Sequence, residues 1–212
     1  MRVGILGSGL MGGKLGTIFA RAGHEVTFSY ARSEQKPKAL ARDAGGKARY
    51  GTPRQAAGAD AVLLAVHWSR IDEVLDEAGN LARKVVVTCS LPMNDDDTEL
   101  VIGHASSGAE ELQKKIPKAR VVAAFNTVPS EVLPGVYAAR RRARRPSLVC
   151  CADHAAAKEL AAELARDVGF TPVDAGPLRI ARYVEPFALL VAQLAYGGTD
   201  GPELAYRFER LG

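Results

Sequence analysis

Arg2-Val3-Gly4-Ile5-Leu6-Gly7-Ser8-Gly9-Leu10-Met11-Gly12 is the stretch that decides the fold. Its first five residues form a short apolar run suited to a buried strand, and Gly7, Gly9 and Gly12 make a GxGxxG directly behind it. Leu15, Ile18, Phe19 and Ala22 then recur at the spacing of one helix face, and Gly23-His24-Glu25 turns the chain into a second apolar run, Val26-Thr27-Phe28. A GxGxxG between strand and helix, inside a βαβ unit of about thirty residues, is a dinucleotide fingerprint. Gly7 permits the tight turn, Gly9 lets the backbone approach a pyrophosphate, and Gly12 allows helix and strand to pack closely. Free N–H groups and the dipole at the helix N-terminus attract the phosphates.

The alternation continues outward from this unit. Ala31 to Ala44 reads as a loop and a short surface helix, Lys47 to Tyr50 as a short strand, and Thr52-Pro53 as a helix start. Ala61 to Val66 is apolar throughout, as in strands covered on both faces of a parallel sheet. Ser69 is placed to cap the next helix, with Ile71, Val74, Leu75 and Ala78 on one face. Val85 to Cys89, Arg120 to Phe125, Ser147 to Cys151 and Phe170 to Asp174 read as further strands. Helices are expected over Ser107 to Ile116, after Asp153 as cap, and from Ile180 through Leu194, with Pro186 inside the last. The pattern predicts an α/β, Rossmann-type, doubly wound and mostly parallel sheet with a small C-terminal helical cap. The expected division is a dinucleotide-binding Rossmann domain over 1–176 and a wholly helical segment over 177–212 that closes the substrate cleft. Ligands of such sheets bind beyond the carboxyl ends of the strands, which groups Gly7–Gly12, Ser29–Ser33, Val66–Ser69 and Phe125–Pro129 on one rim.

With 212 residues, 47% hydrophobic and 25% charged, the chain has the balance of a globular protein with a sizeable core. Its longest late apolar stretch, Phe187 to Tyr196, is shorter than the roughly twenty residues a bilayer requires. No signal peptide is expected, and the reading is a cytoplasmic protein without a membrane partner. Cys89, Cys150 and Cys151 lack metal-type spacing, and neighbours in a strand point to opposite faces, so three reduced thiols are expected. Asp95-Asp96-Asp97 reads as a solvated loop and not a metal site. The net charge of +4 owes much to Arg140-Arg141-Arg142-Ala143-Arg144-Arg145, read as an exposed loop without a nucleic-acid partner.

An NAD-preferring site would end its second strand in Asp or Glu, to bind the ribose 2′-hydroxyl. Ser29-Tyr30-Ala31-Arg32 stands there instead, and a hydroxyl with a guanidinium suits a 2′-phosphate. The expected cofactor is therefore NADP(H). His67 is either a proton donor at the rim or a satisfied loop residue. Trp68 either packs on the nicotinamide or anchors the following helix.

Several motifs in register, Met1–Gly12, Ala22–Val26, Ser29–Arg32, Ala65-Val66-His67-Trp68, Ala124-Phe125-Asn126-Thr127 and Asp174-Ala175-Gly176-Pro177-Leu178, resemble the NADPH-dependent coenzyme F420 reductase family. The resemblance implies hydride transfer between nicotinamide and a deazaflavin, coenzyme F420, or a flavin-like acceptor, by a homodimer. It implies that Ser8, Leu10 and Met11 line the pyrophosphate, that Ser29 and Arg32 meet the 2′-phosphate, and that Val66, His67, Trp68, Asn126 and Thr127 lie beside the nicotinamide and its ribose. Pro177 and Leu178 would wall the second substrate. Alternatives are reduction of a quinone, a ferric chelate, or a small imine or hydroxy acid, or a non-catalytic NADP-binding module.

Overall fold

Residues 1–199 and 201–211 are described by the computed structural model; Asp200 and Gly212, both in the expected cap, lie outside the described residues. Strand β1 (Arg2–Leu6) leads into helix α1 (Leu10–Arg21), then β2 (Glu25–Ser29), α2 (Gln35–Ala44), β3 (Arg49–Tyr50) and α3 (Pro53–Ala57). There follow β4 (Ala61–Leu64), α4 (Ile71–Ala78), β5 (Val85–Thr88), α5 (Gly108–Lys115), β6 (Arg120–Ala123) and α6 (Val132–Ala138). The chain ends with β7 (Ser147–Ala152), α7 (Ala155–Val168), β8 (Thr171–Asp174) and α8 (Ala181–Tyr196). The eight strands form one sheet in the order β3-β2-β1-β4-β5-β6-β7-β8.

Two apolar layers cover the sheet. On one face Ile5, Leu15, Phe19, Phe28, Leu133 and Leu164 join α1, α2, α6 and α7 to the strands. On the other, Leu6, Leu64, Val74, Leu112 and Val184 do so for α3, α4, α5 and α8. Cys150 and Cys151 fall in opposite layers, as neighbours in a strand must. Burial pushes both thiols up to about 12, which leaves them unreactive. No helix of the described residues is long and apolar enough to cross a membrane.

The structure corrects several local expectations. Ala22, placed on the buried face of α1, is its exposed C-cap. Thr52 caps α3 with a full capping box, but His67 and not Ser69 caps the 3₁₀ turn that precedes α4. Asp153 does not cap α7; its Oδ1 accepts the N–H of Leu178, 2.9 Å away. Helix α6 was not expected; it holds Pro134 and Gly135, both poor helix formers. Leu194 is exposed, and none of the described residues after Tyr196 is helical; the tail meets the start of β7, where Ser147 N–H donates to the Tyr206 carbonyl at 2.8 Å.

The reversal at β7 matters most for the site. Strands β1 to β6 are mutually parallel, whereas β7 pairs antiparallel with β6, through Val122↔Ala152 and Ala123↔Cys151, and β8 runs parallel to β7. A seven-residue helix such as α6 advances only about 10 Å, so the chain re-enters the sheet from the rim where β6 ended. The start of β7 therefore shares an edge with the carboxyl ends of β1, β4, β5 and β6. The carboxyl end of β8 lies at the opposite edge.

Candidate active site

Gly7 leaves β1 at φ +111°, a conformation that favours glycine, and donates its N–H to the Ser29 carbonyl at 3.2 Å. A Cβ on Gly12 would run into the Gly7 carbonyl oxygen, while one on Gly9 would meet nothing within 4 Å. Gly12 is thus required by the protein's own packing, and the space at Gly9 is open to a ligand. Gly9 is the N-cap of α1 and offers no side-chain cap, and the first turn holds no acid. The N–H groups of Leu10, Met11 and Gly12 have no intrahelical partner, which fits a pyrophosphate held by backbone donors. The side chains of Leu10 and Met11 point away from that role: Leu10 is solvent-exposed and Met11 packs on the core.

Ser8 and Ser29 are not free to meet a ligand through their hydroxyls. Ser8 Oγ donates to the Ser29 carbonyl at 2.8 Å, Ser29 Oγ donates to the Ile5 carbonyl at 2.7 Å, and both residues are fully buried. They fasten β1 to β2. This corrects the expectation for Ser29 at a 2′-phosphate, because its single hydroxyl proton is already donated to the Ile5 carbonyl.

Beside the glycine turn lies a cavity of about 1310 Å³, lined by Gly7 and Gly9, by Tyr30 and Arg32 after β2, and by Val66 and His67 after β4. Tyr30 sits at φ 55° and carries a polar cluster: its hydroxyl donates to Glu73 at 2.8 Å and accepts from Arg70 Nε at 3.1 Å. Arg70 is further held by Glu73 at 2.7 Å. Arg32 also lines the cavity, and no carboxylate lies within 4 Å of its guanidinium among the described residues. Lys38 stands 5.4 Å over the Tyr50 ring at the outer wall.

His67 has both ring nitrogens engaged. Nδ1 accepts the Ser69 N–H at 3.2 Å, which leaves the proton on Nε2, 3.2 Å from the Asn94 carbonyl and 3.4 Å from Asp97. The ring fastens the loop after β4 to the loop after β5. Trp68 packs on the α4 side of the core and does not line the cavity.

At β6, Phe125 takes φ 65° with its ring edge-on to Phe19 at 6.2 Å, and the turn buries Asn126 and Thr127. The Asn126 amide nitrogen and oxygen both lack a hydrogen-bond partner, the only such buried side-chain atoms among the described residues. An unpaired buried amide costs about 1–3 kcal/mol, so a ligand that satisfies it gains accordingly. Thr127 Oγ1 lies 2.7 Å from the hydroxyl of Tyr206. Tyr206 packs edge-on against Phe187 at 5.0 Å and Phe208 at 5.3 Å. Tyr206 escaped the sequence reading; the alternating aromatics of Tyr206-Arg207-Phe208 were the available signal.

Pro177 and Leu178 follow β8 and so stand at the edge away from the glycine turn, with Leu178 buried in the α5–α8 layer. This corrects their expected role as a wall of the cleft. Helix α8 then runs back toward the carboxyl rim. Its last residue, Tyr196, donates to Glu131 at 2.8 Å, and Lys14 of α1 lies 3.8 Å from that carboxylate and donates to Ser130 at 3.1 Å. The far end of α8, not its start, reaches the rim.

A glycine turn with an open pyrophosphate cradle, a large cavity over β1, β2 and β4, and an unsatisfied amide over β6 define a Rossmann-type dinucleotide site. Residues 2–92 match the family described as NADP oxidoreductase, coenzyme F420-dependent. The chain is 32% identical over 189 residues to metalloreductase STEAP3 of Rattus norvegicus, which covers 89% of this chain; the chain spans only 36% of that relative's length. A crystal structure from Arthrobacter sp. FB24, of a candidate F420-dependent NADP-reductase, superposes with a TM-score of 0.82 at 24% identity, covering 98% of this chain and 99% of that one. An imine reductase of Streptomyces aurantiacus superposes at 0.67 and 19% identity, over 91% of this chain and 62% of that one. Both structural likenesses establish the fold.

Proposed function

We propose that the protein transfers hydride between NADP(H) and a flavin-type tricyclic acceptor, a deazaflavin such as coenzyme F420 or a flavin, over the carboxyl ends of β4, β5 and β6. The observation that carries this reading is the buried, partnerless amide of Asn126, on the same rim as the open cradle at Gly9. A dinucleotide on such a sheet lies across the switch point between β1 and β4, with its adenine half over β2 and its nicotinamide half over the other side. Bound NADPH supplies the hydride, from C4 of its nicotinamide. The protein's part is to hold and orient the ring and to exclude water, which requires no side-chain nucleophile. In this reading the N–H groups after Gly9 hold the pyrophosphate, Arg32 meets the 2′-phosphate, Val66 backs the ring, and Asn126 and Thr127 engage the carboxamide or ribose. In the same reading segment 177–212 closes the cleft, its Phe187 and Phe208 packing on Tyr206, whose hydroxyl meets Thr127.

The acceptor is tested by following the NADPH absorbance band with coenzyme F420, FMN, FAD, ferric chelates, a quinone and a cyclic imine in turn. Fastest oxidation with a tricyclic acceptor supports the reading, and oxidation by the imine alone refutes it. The likeness to the rat metalloreductase favours a second reading, with a ferric chelate as the acceptor. Homodimeric assembly is part of the same proposal, read from the mass in solution.

Two substitutions test the two ends of the cofactor. Arg32→Ala removes a charge-assisted contact of about 1.5–3 kcal/mol, so NADPH affinity should fall ten- to hundredfold with NADH affinity little changed. Equal losses for the two would refute the 2′-phosphate role. Asn126→Ala breaks no protein hydrogen bond, so the melting temperature should stay close to that of the wild type while NADPH oxidation falls about a hundredfold. A variant that melts early and turns over normally would assign Asn126 to the fold instead.

A further inference from the structure

We infer that Tyr206 is a positioning residue that directs the hydroxyl proton of Thr127 into the nicotinamide end of the dinucleotide site. The inference rests on the nicotinamide reading of Asn126 and Thr127 given above, and it assigns a part of that site to the C-terminal tail.

A phenol has one proton and two acceptor lone pairs. The Val149 N–H, 3.3 Å away, donates to the Tyr206 oxygen, and the only other polar partner of that oxygen among the described residues is Thr127 Oγ1 at 2.7 Å. Burial raises the Tyr206 pKa, so the group stays a protonated phenol, and its buried proton has one acceptor within reach, the Thr127 oxygen. The direction of the chain is therefore Val149 N–H to Tyr206 O–H to Thr127 Oγ1. Thr127 is completely buried, and with Tyr206 as donor its own proton is free for a second acceptor. One residue earlier lie the two unpaired atoms of the Asn126 amide. A hydroxyl donor, an amide donor and an amide acceptor are thus presented together at the end of β6. That set complements a carboxamide or a ribose hydroxyl, each of which both donates and accepts.

The tail holds Tyr206 independently of its hydroxyl. Ser147 N–H donates to the Tyr206 carbonyl at 2.8 Å, and the Phe208 N–H donates to Ser147 Oγ at 2.9 Å. The ring stands between Phe187 and Phe208. Tyr206→Phe keeps these contacts and removes only the oxygen.

The test compares binding of NADP⁺ and of adenosine 2′,5′-bisphosphate, which carries the adenine end alone, to the full-length wild type, Tyr206→Phe, Thr127→Val and the double variant. Melting temperatures confirm that each variant is folded. Tyr206→Phe is expected to weaken NADP⁺ about tenfold and to leave the bisphosphate unchanged. Thr127→Val should do the same, and adding Tyr206→Phe to it should cost nothing more, because the two act through one hydrogen bond. Parallel loss of both ligands in Tyr206→Phe, unchanged NADP⁺ affinity, or additive losses in the double variant would each overturn the positioning role. Failure of the wild type to bind either ligand would instead refute the NADP reading, and the role of Tyr206 with it.

Discussion

Alanine at Gly9 is expected to leave the protein folded and to weaken NADPH binding about a hundredfold, whereas alanine at Gly12 is expected to unfold it. The two positions belong to one motif but face different things. Gly9 has an extended backbone, φ −76° and ψ −157°, that any residue adopts, and a Cβ there projects into open space. The cost to the fold is that of a poorer N-cap, about 1 kcal/mol or less. The same methyl fills the approach to the free N–H groups of α1, and a hundredfold loss of NADPH affinity, about 2.7 kcal/mol, is the expected scale. At Gly12 the methyl meets the Gly7 carbonyl, a backbone atom that cannot rotate away. Overpacking of that kind costs about 3 kcal/mol or more, a large part of the stability of a domain this size. Thermal melts with and without NADPH separate the two outcomes. A Gly9→Ala protein that gains as much melting temperature from NADPH as the wild type would show that the cradle does not hold the pyrophosphate.

The second large effect is at Glu185. Arg182, one turn away on the same helix, is not its partner, because it forms a two-point pair with Glu110 at 2.7 and 2.8 Å. Glu185 is buried and accepts the N–H groups of Gly108 and Ala109 at 2.8 and 3.0 Å, at the start of α5. It ties α8 to α5. Burial raises its pKa from the ordinary 4.5 to about 7, against the two N–H groups that favour the carboxylate, with neighbouring Glu110 adding to the rise. The folded protein therefore holds this proton more tightly than the unfolded chain. The resulting stability is fully present below about pH 4.5 and is lost as pH rises through about 7, by up to roughly 3 kcal/mol. Urea unfolding between pH 5 and 8 should show stability falling with pH in the wild type and a flatter profile in Glu185→Gln. Glu185→Ala, which strands two buried N–H groups, should cost about 2–4 kcal/mol at every pH. Identical pH slopes in the wild type and Glu185→Gln would remove Glu185 as the source.

What the sequence made legible was local. The strand–glycine–helix unit, the apolar strands Ala61–Leu64 and Val85–Thr88, and the helix face of Ile71, Val74 and Ala78 each carry their periodicity within a few residues. Strand direction has no such mark. Ser147–Ala152 is as apolar as a central parallel strand, so nothing in it announces the reversal that carries Pro177 and Leu178 to the far edge. Long-range polar pairing was equally hidden, because Glu185 meets residues 76 and 77 positions away and offers only a nearer, wrong partner to a local reading. Ser29 was misassigned for the same reason. A serine at the end of β2 looks available until its hydroxyl is seen engaged across the sheet. Asn126 was found through its motif, but its unsatisfied amide, the feature that argues for a ligand, exists only in three dimensions.

The most direct measurement of the proposed chemistry is single-turnover bleaching of the NADPH band on mixing the wild-type protein with coenzyme F420 or FMN, using NADPH and its 4-deuterated forms. Direct hydride transfer predicts bleaching that is slowed by deuterium on one face of C4 and not the other, with the label retained at C5 of a deazaflavin product. Bleaching indifferent to both labels, or none with any acceptor despite bound NADPH, would contradict it.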